Sequence, residues 1–209
     1  VGSGALSIKQ VIIIAGVFEF AGAVFFGKRV TTTIAKGIVP IDTISLTDTH
    51  FVAVGMLAAA IAAGFWITLA TFYNLPVSTT HSIVGAVLGF GLIAAYMDII
   101  AFGQINWGVL LKIIGSWLVS PLLGALVAFL IFTIIRYFIL QKTVNPYRIE
   151  KRFIIPQTMT ACYIAFAHGS NDVANAVGPV YAGLHALGLA GTTIPSWVML
   201  LGGFGMVLG

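Results

Sequence analysis

The chain is poor in charge and almost free of cysteine. Only 8% of its 209 residues are charged, whereas ordinary globular domains carry about 25%. So few charges cannot cover a water-facing surface. That excludes a soluble enzyme, a disordered chain and a nucleic-acid-binding module. The single cysteine, Cys162, excludes an internal disulfide and any cysteine-based metal cluster.

What the chain has in abundance is apolar surface. Hydrophobic residues make up 59% of it, and the mean hydropathy is +1.07. These values predict an integral, multi-pass membrane protein in the cell membrane. Ten Lys or Arg against six Asp or Glu give a net charge of +4. The excess is read as basic loops on one side of a bilayer, not as a nucleic-acid face. A start at Val1 and an apolar stop at Gly209 predict a piece of a longer chain.

The apolar runs divide the chain into helical spans, which need about 20 residues each. The first covers about 8–27 and carries one carboxylate, Glu19. Residues 30–50 are more polar and are expected to form a loop or surface helix. A second span covers about 51–73. A polar insert with Pro76 follows, then a short apolar piece over 83–96. A long span over 109–140 contains Pro121. The segment 141–152 carries Lys142, Arg148, Lys151 and Arg152, which predicts a cytoplasmic connector. A second short apolar piece, 153–167, leads into another polar motif. Two short helices, each interrupted by a polar motif, point to a transporter-type site, because broken backbone at membrane depth is tolerated only beside protein or a cavity.

The basic residues also constrain topology. If 74–96 is re-entrant and returns to the outer side, Lys28, Arg29 and Lys36 share the inner side with the connector.

Each polar motif has its own chemistry. Pro76-Val-Ser-Thr-Thr-His81 places three hydroxyl residues at a helix start. Such a start offers unpaired N–H groups and partial positive charge. An oxyanion matches the donors of Ser78, Thr79 and Thr80. No Lys or Arg is near in sequence, so neutral donors or co-bound cations would hold the anion. The alternative is an ordinary capped helix. His168-Gly-Ser-Asn-Asp-Val-Ala-Asn175 puts Asn171 and Asn175 on one helical face beside Asp172. An ionised Asp in the membrane needs a partner. Oxygen-rich groups suit a hard cation such as Na⁺. The alternative is a capping Asp with packing amides. Glu19 is either a proton or cation site, or a protonated side chain bonded to a neighbouring helix. A metal site between His81 and His168 lacks a third ligand. His50 and His185 read as interface or loop residues.

The string HGSNDVANAVGP over 168–179 closely resembles a signature of the inorganic phosphate transporter (PiT) family, the sodium- or proton-coupled phosphate carriers. PVSTTHS over 76–82 resembles that family's second signature. GVFEFAGAVFFGKRVTTTI over 16–34 resembles its glutamate-bearing helix. The resemblance spans nearly the whole chain. It implies an all-α membrane protein, a polytopic helical bundle with inverted-topology repeats and discontinuous or re-entrant helices. Residues 1–140 are then most of the first repeat, without its first signature motif. Residues 153–209 begin the second. A faint internal match aligns Gly16–Gly22 with Gly203–Gly209 and sets Glu19 against Met206.

The expected function is import of inorganic phosphate with a coupling cation, Na⁺ or H⁺, by alternating access. Phosphate is assigned to Ser78, Thr79, Thr80, Asn171 and Asp172. The cation is assigned to Asn171, Asp172, Asn175 and Ser78, with Na⁺ at the first three. Glu19 is the candidate coupling carboxylate. A carrier of another oxyanion such as sulfate, or an ion channel, are the alternatives. No nucleophile–base pair or metal triad suggests an enzyme. No cofactor is expected, and a homo-oligomer in the bilayer is allowed.

Overall fold

The computed structural model describes residues 4–141 and 146–209. Residues 1–3 and four residues of the basic connector, 142–145, lie outside the described residues, as do the side chains of 146–148 and 150. The described residues form helices and no strands. The α-helices are α1 (Ile8–Phe26), α2 (Lys28–Thr32), α3 (Ile41–Thr47), α4 (Thr49–Phe72), α5 (Thr79–Tyr96), α6 (Trp107–Ile135), α7 (Pro146–Ala186) and α8 (Ser196–Leu208).

Side-chain caps set the starts of α1, α4, α5 and α6. Ser7 and Gln10 form a reciprocal capping box on α1. Asp48 accepts from the Phe51 N–H at 3.0 Å to start α4. Asn106 accepts from the Val109 N–H at 3.1 Å to start α6. α1, α4, α5 and α6 are each long and apolar enough to cross a membrane. α6 is the most apolar, and a π-type turn over Arg136–Leu140 prolongs it. Pro121 sits inside it without breaking it.

Three expectations need correction. Residues 30–50 are not a surface segment. Thr31, Ile34, Ala35, Ile38, Val39, Ile41 and Ile44 are all buried, and they pack with Val52, Met56 and Val177 in the core. The segment coils into short helices because its apolar residues wedge between longer ones. Its polar residues face outward or bond their own backbone, as Thr31 does to the Gly27 carbonyl at 2.8 Å.

The second interruption is absent. α7 runs unbroken for 41 residues, about 61 Å, straight through the motif at 168–179. The helix is kept by its backbone bonds while its polar side chains point into the bundle. The first interruption is real. Residues 75–78 are non-helical between α4 and α5. α5 itself begins at Thr79, four residues before the apolar run, so its 18 residues span about 27 Å.

The topology expectation also fails. α5 folds back along α4, placing Phe90 beside Phe51 with ring centroids 5.4 Å apart. Both ends of this hairpin therefore lie on one side, with Ile38 accepting from the Asn106 N–H at 3.0 Å. Lys36 meets His185 near the C-terminal end of α7, at 2.7 Å. Lys151 and Arg152 sit at the other end of that helix, about 50 Å away along its axis. Lys36 and the pair Lys151 and Arg152 thus lie toward opposite ends of α7.

Candidate functional site

The site forms where three helices meet. α1 and α7 pack side by side, and their backbones touch at two glycines. A Cβ on Gly22 would overlap the carbonyl of Phe166, and one on Gly169 would overlap the carbonyl of Glu19. Only glycine permits this approach. It sets Glu19 next to the motif on α7. His168 then bridges two carboxylates. Its Nδ1 lies 3.1 Å from Glu19 Oε1 and its Nε2 3.4 Å from Asp172 Oδ2. A neutral imidazole donates one hydrogen bond, so it serves one of these carboxylates at a time; the doubly protonated ring serves both.

The N-terminus of α5 meets the middle of α7 at the same place. Ser78 caps α5, accepting from the His81 N–H at 3.3 Å. The Thr79 hydroxyl donates to Asp172 Oδ2 at 2.9 Å. Asn175 Nδ2 donates to Thr79 Oγ1 at 3.2 Å and to Thr80 Oγ1 at 3.3 Å. Asn171 Nδ2 reaches Asp172 Oδ1 at 3.4 Å. The two polar motifs, more than ninety residues apart in sequence, thus share one hydrogen-bond network.

A count of hydrogens separates the hydroxyls. The Thr79 proton is committed to Asp172. Ser78 and Thr80 accept from protein N–H groups and keep their own protons to donate. Both line a cavity of about 350 Å³, together with Thr33, His81, Ser116 and Asn171. Asp172 and Glu19 do not line it. No Lys or Arg is among its lining residues.

Acceptors gather among the partners of Thr79. Among the described residues, Asn175 Oδ1 is buried without a hydrogen-bond partner. Pro179, four residues on, has no N–H for the Asn175 carbonyl. An unpaired buried acceptor is costly, which fits a site that receives a ligand.

The structure brings together Glu19, Ser78, Thr79, Thr80, Asn171, Asp172 and Asn175. It keeps His81 and His168 apart. His168 holds the two carboxylates, and the His81 ring stacks on Trp117 with centroids 3.7 Å apart. No metal-binding group of His, Cys, Asp or Glu occurs among the described residues. His185 is no isolated loop residue: its Nε2 lies 2.7 Å from Lys36 Nζ and 3.1 Å from Asp42 Oδ1. Sequence reasoning missed Thr33, Ser116 and Trp117 as cavity residues. They lie outside both motifs, and only the packing of α6 against α5 brings Trp117 to His81.

Comparison with known proteins places the chain in a family. The model of the phosphate transporter family matches residues 1–209. A protein of Pyrococcus abyssi named as a phosphate permease is 36% identical; the match covers all of this chain and 67% of that protein. The chloroplastic inorganic phosphate transporter 2-1 of Arabidopsis thaliana is 31% identical over all of this chain and 51% of its own length. Among solved structures, one named as the sodium-dependent phosphate transporter superposes with a TM-score of 0.84 at 32% identity. That superposition covers 99% of this chain and 67% of the other. With two signature motifs joined in one network and a family match along its whole length, the chain belongs to the phosphate transporter family.

Proposed function

We propose that this chain carries inorganic phosphate across a membrane together with a coupling cation, Na⁺, by alternating access. The observation that carries the reading is the Thr79 junction. One hydroxyl, next in sequence to Ser78 and Thr80, which line the donor-rich cavity, bonds Asp172 at 2.9 Å and accepts from Asn175. Ser78 and Thr80 donate to phosphate oxygens from the cavity side, and Asn171 adds an amide N–H. Asp172, Asn175 and the carbonyl freed by Pro179 offer oxygens to a hard cation.

The coupling is electrostatic. A divalent anion in a low-dielectric cavity without Lys or Arg is strongly disfavoured alone. A cation a few ångströms away offsets that penalty. By reciprocity each ion raises the affinity for the other. Glu19 and His168 adjust the local charge behind Asp172. The sodium dependence for which the solved relative is named favours Na⁺ over H⁺.

Inverted repeats are supported by the packing of α1 against α8. Gly16 faces Val207 and Gly203 faces Phe20. If residue 16 corresponds to 203, as the internal match requires, these two contacts are images of one another. An antiparallel pair related in this way has a two-fold axis between the helices. Such an axis in the membrane plane is the basis of inward and outward states of equal construction.

Uptake of labelled phosphate into proteoliposomes containing the full-length protein tests the reading. Uptake should require an inward Na⁺ gradient and should collapse in Asp172→Asn. Undiminished uptake by that variant, or uptake indifferent to Na⁺, would sink the assignment. Competition by excess sulfate would instead identify a broader oxyanion carrier. Currents at channel rates without a fixed cation–phosphate ratio would identify a channel.

A further inference from the structure

The proposed anion cavity has one wall that the hydroxyls of Ser78 and Thr80 do not make. His81 lines it from the first turn of α5, and Trp117 of α6 leans against the imidazole in a tilted stack, with ring centroids 3.7 Å apart at 38°. Among the described residues, neither His81 ring nitrogen has a hydrogen-bond partner in the protein. His168 and His185 differ, since each of their ring nitrogens lies within 3.4 Å of a polar partner.

The donor inventory shows why this matters. A phosphate ion has four oxygens and accepts many hydrogen bonds. Several polar residues in the cavity are already spent. The Ser116 hydroxyl donates to the Ile113 carbonyl at 2.6 Å, and the Thr33 hydroxyl to the Arg29 carbonyl at 3.3 Å. The Thr79 proton goes to Asp172. The side-chain donors left facing the cavity are the hydroxyls of Ser78 and Thr80, the remaining Asn171 N–H, the Trp117 indole and the His81 ring. Of these, the imidazole and the indole are unbonded and stacked on each other, and the imidazole sits on the α5 turn that also carries Ser78 and Thr80. Fixing the ring beforehand lowers the entropy lost when it binds a ligand.

We infer that His81 is an oxyanion-binding residue: its ring N–H donates to a phosphate oxygen, and Trp117 is a positioning residue that holds the ring for this contact. This rests on the reading of the cavity as the phosphate site. It adds a ligand outside the Ser-Thr-Thr hydroxyls, and it makes α6 a contributor to substrate affinity. The N–H bond, and not the aromatic contact, is the part that recognises the anion.

Two substitutions separate those parts. His81→Phe keeps a stacking ring and removes the N–H. His81→Gln keeps N–H donors and removes the ring. In proteoliposomes with the full-length protein, His81→Phe should raise the KM for phosphate about tenfold or more, the usual weight of a hydrogen bond to a charged group. Its maximal rate, and its Na⁺ half-saturation at saturating phosphate, should be retained. His81→Gln should recover most of the affinity. A KM unchanged in His81→Phe, with wild-type protein transporting phosphate normally, overturns the inference and leaves the transport reading intact. Wild-type protein that carries no phosphate overturns the transport reading itself. Chemical labelling of the unmutated protein gives an independent measurement. Inorganic phosphate well above KM should slow carbethoxylation of His81 by diethyl pyrocarbonate and leave His50, in a separate groove against Leu184 and Leu187, unaffected. Equal labelling of His81 with and without phosphate overturns the inference even if the variants fail to reach the membrane.

Discussion

Thr79 carries more of the site than its two hydroxyl neighbours because it works in both directions. It donates to Asp172 and accepts from Asn175. Thr79→Val keeps the shape and removes both bonds, leaving Asp172 without that donor and a buried amide without that acceptor. Such losses cost about 1–3 kcal/mol each. Phosphate uptake by Thr79→Val should therefore fall by roughly tenfold or more, while Thr79→Ser keeps most of it. A flux assay of the two variants at matched membrane abundance distinguishes them, and equal activity would remove Thr79 from the network. Glu19 belongs to the same scale. Its bond to His168 at 3.1 Å makes it an indirect partner of Asp172, two carboxylates held by one ring. The motif residues are legible in the sequence because polar side chains inside an apolar chain are conspicuous. Their pairing is not, since nothing local says that residue 79 faces residue 172.

Helices set the distances between those residues. The contact of α1 with α7 depends on Gly22 and Gly169, whose hydrogens face opposing carbonyls. Gly169→Ala must push the helices apart. Overpacking of this kind typically costs about 1–3 kcal/mol. It also draws Glu19 away from His168. The expected outcome is lower thermal stability in detergent together with loss of uptake. A variant with wild-type melting and full transport would show that the close approach is dispensable. Sequence and structure differ most, at this scale, in the extent of α7. A stretch with His, Ser, two Asn and an Asp looks like a break, yet the helix continues because His168, Asp172 and Asn175 have partners on other helices, Ser170 and Asn171 bond within α7, and the backbone keeps its own bonds. The interruption before α5 is legible in the sequence, since Pro76 cannot donate to a helix that would otherwise run on from α4.

The whole chain holds Lys36 and the pair Lys151 and Arg152 toward opposite ends of α7, and α5 folds back along α4. Cysteine accessibility can test this in a Cys162→Ala background. Thr47→Cys and Gln104→Cys should be labelled by a membrane-impermeant reagent from one side, and Arg152→Cys from the other. Labelling of all three from the same face would contradict the arrangement. Residues 141–152 are dense in positive charge in the sequence, and Lys151 and Arg152 sit in the N-terminal part of α7. Long exposed apolar faces, such as Leu118, Leu122 and Phe129 on α6, suit hydrocarbon and not water.

Composition and hydrophobic run length determined by themselves that this is a multi-span helical membrane protein. Those properties depend only on how much apolar surface each residue contributes. The motifs, with their resemblance, determined the substrate class and nearly all of the residues that meet at the site. Tertiary structure alone decided three things. It decided that a polar motif can sit inside an unbroken helix, that residues 30–50 are core, and that Trp117 stands against His81. Each depends on which helices are neighbours, and neighbourhood is set by the shape of packed surfaces and not by any local pattern in the chain.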